Sequence, residues 1–199
     1  MKRATTWAVA AGLAFALAGG AGAQQVGSDA EAFLAAIREQ DGAKAMSIET
    51  RQGVGVVNYR GYNGDTPLTV AMAKRSATYV GFLLGKGARP DLPDKRGDTP
   101  LIIAARNGFG EGVDLMITSR AAIDLANRQG ETPLIVAVQG RHAMIVRRLL
   151  EAGANPDKTD FAAGYSARDY ARRDSRNRDL LRMIETIKRR KPVSGPQRN

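Results

Sequence analysis

Gly64-Asp65-Thr66-Pro67-Leu68 returns as Gly97-Asp98-Thr99-Pro100-Leu101 and again as Gly130-Glu131-Thr132-Pro133-Leu134, 33 residues apart each time. A pentapeptide on a fixed beat signals stacked units, each too small to bury its apolar face alone. Thr66, Thr99 and Thr132 are suited to accept a backbone N–H as helix N-caps. Pro67, Pro100 and Pro133 fit the first helical turn, where a missing N–H costs nothing. The glycine two residues before each threonine permits the tight turn that closes a hairpin.

The rest of the unit follows the same logic. Val70-Ala71, Ile103-Ala104-Ala105 and Val136-Ala137-Val138 give each first helix a small, apolar surface for a close neighbour. A second helix with apolar residues at helical spacing comes next. It carries Val80, Phe82, Leu83 and Leu84 in the first unit, then Val113, Leu115, Met116 and Ile117 in the second. In the third it carries Met144, Ile145, Val146, Leu149 and Leu150. Gly87-Ala88 and Gly153-Ala154 supply left-handed helix terminators. The middle unit has Arg120-Ala121 there, which predicts the most strained or loosest turn of the array.

Gly-Asp-Thr-Pro-Leu, the following alanines, and a second helix ending Leu149-Leu150-Glu151-Ala152-Gly153-Ala154-Asn155 together resemble the ankyrin repeat. The resemblance implies an all-α solenoid of stacked helix-turn-helix units with hairpin fingers. Three full units are expected over 61–160, at about 62–94, 95–127 and 128–160. A capping unit is expected on each side, over 24–60 and 161–190. Two departures from the family pattern stand out. The histidine expected after Thr-Pro-Leu is replaced by Thr69, Ile102 and Ile135, which removes one tie between neighbouring turns. The glycine between the two helices survives only as Gly108, with Arg75 and Arg141 at the equivalent places.

The ends of the chain read differently from the repeats. Lys2 and Arg3, the apolar run Trp7 to Ala18, and Ala21-Gly22-Ala23 fit a three-part export signal over 1–23, cleaved before Gln24. The apolar run is about a dozen residues, whereas crossing a bilayer takes roughly 20. The expected location is periplasmic or secreted. With no cysteine in the chain, disulfides, thiolate chemistry and a lipoprotein anchor are excluded. The net charge of +10 is concentrated at one end: residues 161–199 hold eleven basic residues against four acids. Lys188-Arg189-Arg190-Lys191 leads into a basic tail, 191–199, with no apolar period and an expected lack of order.

Catalysis finds little support in the residue pattern. His142 is the single histidine, and a metal site or triad needs several such groups together. Asp65, Asp98 and Glu131 recur at the repeat period, which argues for roles at turns and helix N-termini. No cofactor, metal or catalytic residue is expected, and nucleic-acid binding does not suit an exported chain. The resemblance implies instead a protein partner held on a concave face of finger tips and first helices. Carried over by position, that face comprises Tyr59, Arg60, Tyr62 and Asn63 on the first finger, then Lys95-Arg96 and Arg128-Gln129 on the next two. Lys74, Arg106-Asn107 and Gln139 end the first helices. The rival reading is an adaptor whose basic C-terminal segment engages anionic lipid or cell-wall polymer.

Overall fold

The computed structural model describes residues 18–176 and 178–187. The greater part of the expected export signal, up to residue 17, and the basic run from Lys188 lie outside the described residues. Eleven helices and no strand are found among the described residues. The first, α1 (Ala18–Glu39), begins ahead of the expected cleavage point and is followed by α2 (Gly42–Gln52) and the single turn α3 (Val54–Val57).

Four helix pairs then repeat the same plan. The first helices are α4 (Pro67–Ala73), α6 (Pro100–Arg106), α8 (Pro133–Gln139) and α10 (Ala167–Arg173). The second helices are α5 (Ala77–Gly85), α7 (Gly110–Thr118), α9 (Ala143–Glu151) and α11 (Arg178–Thr186). α6 packs between α4 and α8, α8 between α6 and α10, and α5, α7, α9 and α11 form a second layer. α1 closes the open flank of α4.

Sandwiching explains the composition of the first helices. In α6 every residue from Pro100 to Ala105 is buried, and in α8 every residue from Pro133 to Val138. A seven-residue helix is too short to persist alone, so burial on all sides must hold it. The threonine caps do what the sequence requires of them. Thr66, Thr99 and Thr132 each accept the amide of the residue three positions on, at 3.2 Å. In the last pair Ser166 takes over, accepting from the Asp169 amide at 3.2 Å.

The second helices bury one face only. Ile145, Val146, Leu149 and Leu150 are buried in α9, but Met144 is 62% exposed. Its place in the apolar stripe is thereby corrected: it lies one residue, about 100° of helix, away from Ile145. Met46 is likewise exposed on α2, where Ile48 turns inward.

The turns carry the backbone strain. Gly87 and Gly153 end α5 and α9 at φ 84° and 98°, and Arg120 occupies the same left-handed region at φ 59°. The hydrogen bonds of this turn are not loosened, however. The amide of Ala121 reaches the Met116 carbonyl at 3.0 Å, against 2.9 Å for Ala88 to Leu83 and Ala154 to Leu149. Arg75 and Arg141 adopt φ 55° and 56° beside φ 67° for Gly108. The family glycine is replaced here without any change of turn geometry.

Neighbouring units are tied by a ladder of side chain to backbone hydrogen bonds. Asn58 accepts the Arg89 amide at 2.8 Å, Asp91 that of Ala122 at 2.9 Å, and Asp124 that of Asn155 at 2.9 Å. Each side chain thus ties its unit to the next. His142 adds a further link, with Nε2 3.2 Å from the Arg106 carbonyl oxygen of the preceding unit.

Left-handed backbone costs a non-glycine residue roughly 1–2 kcal/mol. Arg120→Gly is therefore expected to stabilise the protein by about 1 kcal/mol, the gain in unfolded-chain entropy offsetting part of the relief. A urea midpoint that stays put or falls would show that the turn is not under strain.

Candidate partner-binding groove

The second and third fingers are each built on one side chain at the base. In the second finger Asp94 Oδ1 accepts the amides of Arg96 and Asp98 at 2.8 and 2.9 Å. In the third, Asn127 Oδ1 accepts those of Gln129 and Glu131 at 3.0 and 2.9 Å. Asp160 repeats the arrangement with Ala163 and Gly164. The first finger has Gly61 instead, because Leu34 of α1 fills the space where a Cβ would stand.

The finger tips stack on one another. Lys95, Arg128 and Phe161 lie over Gly64, Gly97 and Gly130 of the preceding fingers. A Cβ on Gly64 would come within 2.5 Å of that of Lys95, so these glycines serve close approach as well as positive φ. Tyr62 and Phe161, at the two ends of this row, are 88% and 78% exposed.

Between the second finger and the inner helices lies an open groove of about 660 Å³. Its floor is Val70 and Ala73 of α4 with Ile103 and Asn107 of the second unit, and its wall is the finger Asp94-Lys95-Arg96. Arg38 of α1 and Asp65 close one end, joined by an ion pair of 3.2 Å. Three successive layers of the stack therefore contribute to one cleft.

The middle of the groove rests on a cross-unit ion network. Asp98, 1% exposed, accepts from both Arg106 guanidinium nitrogens, from Asn127 Nδ2 at 2.7 Å, and lies 2.7 Å from Arg96 Nη2. Arg106 Nη2 also donates to Glu131 Oε2 at 2.9 Å, which Asn127 Nδ2 reaches at 2.8 Å. Burial alone would push Asp98 up. Hydrogen bonds from Arg106 and Asn127, with the charges of Arg106 and Arg96, outweigh it and hold the carboxyl below its ordinary value.

Residues 78–160 match the family described as ankyrin repeats, in three copies. This stretch is an ankyrin array. No curated protein matches the chain. Ankyrin repeats are generally protein–protein interaction modules and are typically non-catalytic.

The array sorts the sequence-derived residues into separate places. Lys74, Lys95, Arg96, Arg106 and Asn107 come together in the groove. Tyr62, Asn63, Arg128 and Gln129 are exposed on the finger tips. Gln139 lines a smaller recess of about 320 Å³ with Tyr170 and Arg173. Two residues are drawn into structure. Tyr59 packs against the core, and its hydroxyl is raised in pKa by burial and by a hydrogen bond to Glu31. Arg60 Nη2 donates to the carbonyls of Pro93 and Asp94 (2.9 Å to the latter), pinning the first finger to the second.

Sequence reasoning missed Arg38, because the capping helix lies outside the repeat period. It also missed the bases Asp94, Asn127 and Asp160, although their own 33-residue spacing could have revealed them. In the C-terminal unit, Arg141 pairs with Asp174, Arg168 with Asp157, Arg172 with Asp169 and Arg182 with Asp179. Among the described residues no group of three or more His, Asp or Glu side chains is placed to hold a metal, and no helix is long and apolar enough to cross a membrane.

Removing one partner of a buried ion pair strands the others. Asp98→Ala is expected to destabilise the array by about 3 kcal/mol, the low end for such changes because Arg96 and Arg106 stay partly solvated. Asp98 has a folded pKa below its unfolded value of 3.8, so its contribution is complete above that pH and drains away as pH falls through the depressed value. Denaturant titrations from pH 6 to 2 should therefore show a shallower acid limb for the variant. Parallel limbs would separate the ion network from acid stability.

Proposed function

We propose that this chain is an exported, non-catalytic docking protein that holds a protein partner in the groove between its second finger and its inner helices. The observation that carries the reading is the groove itself, lined from α1, α4, α6 and two fingers. A surface spread over successive units is rigid because each unit is clamped by its neighbours, so little ordering is required on docking.

Export rests on the leader pattern of residues 1–23. Processing before Gln24 would retain Ala30, Phe33, Leu34, Ala36 and Ile37, which are buried on α1. The mature protein would act in the periplasm or outside the cell, as a scaffold or adaptor for a protein complex there.

Two measurements test these halves separately. Mass spectrometry of the protein from the native cell envelope should give an N-terminus at Gln24; an intact Met1 in the cytosolic fraction would refute export. Ala73 and Asn107 are exposed on the groove floor, so Ala73→Trp with Asn107→Trp fills the cleft without touching the core. Crosslinked capture of the partner should drop tenfold or more with unchanged helicity. Undiminished capture would move the docking site elsewhere.

A further inference from the structure

The charges around the groove are unequally available. Every carboxylate at its rim or beneath it is already engaged. Asp65 is paired with Arg38, and Asp94 accepts two backbone amides. Asp98 is covered by Arg96, Arg106 and Asn127, and Glu131 by Arg106 and Asn127. Arg38, Arg96 and Arg106 are each paired through the same contacts. A cationic ligand entering the cleft finds no open acid.

The lysines are in the opposite condition. Lys74, at the end of α4, and Lys95, on the finger wall, both line the groove and are exposed. Neither has a carboxylate within ion-pair distance among the described residues. The same is true of Arg128, exposed on the next finger tip. Open ammonium and guanidinium groups around a cleft of saturated acids attract anions and repel cations.

From this asymmetry we infer that the occupant of the groove is an acidic protein segment, its carboxylates received by Lys74 and Lys95 and by Arg128 beyond them. The inference rests on the docking reading above and specifies the partner's chemistry. Arg96 and Arg106, which the sequence suggested as contacts, act here as fixed walls: they shape the cleft and leave recognition to the lysines. A binding step carried by such exposed charges weakens as salt rises.

The test uses the mature chain and a fluorescein-labelled twelve-residue peptide alternating Glu and Gly. Fluorescence anisotropy at low salt should show binding that the same peptide with Gln for Glu lacks. Lys74→Glu with Lys95→Glu should weaken it at least tenfold. Arg120→Glu with Arg147→Glu, an equal charge change on exposed residues of the second layer, should leave it within twofold. Because a reversal at the end of α4 could disturb folding, Lys74→Gln with Lys95→Gln is run in parallel and should also weaken binding severalfold.

Equal loss in both charge-reversed variants, or equal binding of the Gln peptide, would overturn the inference by reducing it to net charge. Phosphatidylglycerol vesicles that bind through the same lysines while the Glu peptide does not would overturn it in favour of a lipid surface. The docking reading is judged apart from this. If the tryptophan-filled groove loses its partner but the lysine variants keep it, docking stands and the acidic chemistry fails. If the filled groove keeps its partner, docking itself fails.

Discussion

The constraint on which everything else depends is the inability of a seven-residue apolar helix to exist alone. α6 and α8 are buried from their prolines to their penultimate residues, so neither has a solvent face to spare. Each is stable only because a neighbour covers it on either side, and the same reasoning passes along the row to the ends. α1 covers one end and α10 with α11 the other. The polar caps Thr66, Thr99, Thr132 and Ser166 complete the arrangement by satisfying the N-terminal amides inside a dry interface.

Polar contacts between units have two distinct characters. Away from the groove, Asn58, Asp91 and Asp124 each receive one backbone amide of the next unit, a modest and repetitive tie. Beside the groove, Asp98, Arg96, Arg106, Asn127 and Glu131 form a single connected cluster across the second and third units. These charges are paired with one another across the stack. The consequence is a cleft with stiff, internally paired walls and exposed lysines, in which local polarity differs from what the residue count implies.

Pro67, Pro100, Pro133 and the adjoining Leu68, Leu101 and Leu134 are buried as their spacing requires, since capping and helix initiation are local matters. The strain at Arg120 was visible from the absent glycine for the same reason. Tyr59 and Arg60 were not separable from Tyr62 by sequence, because all three sit on one finger and differ only in what stands opposite them. Glu31 and the carbonyls of Pro93 and Asp94 capture the first two, and Tyr62 projects into solvent. Arg38 was invisible for a related cause: its role comes from the fold-back of α1 onto α4.

What the sequence determined by itself is the unit and its repetition: caps, turns, apolar stretches and period are set by contacts within a few residues of one another. What only the tertiary structure decided is which charges remain open. Asp98 meets Arg96 and Arg106 close by in the chain, but Asn127 reaches it from 29 residues on, and the arginines that pair with Asp65 and Glu131 are 27 and 25 residues away. Coulombic pairing depends on distance in space, and stacking alone brings those groups within reach.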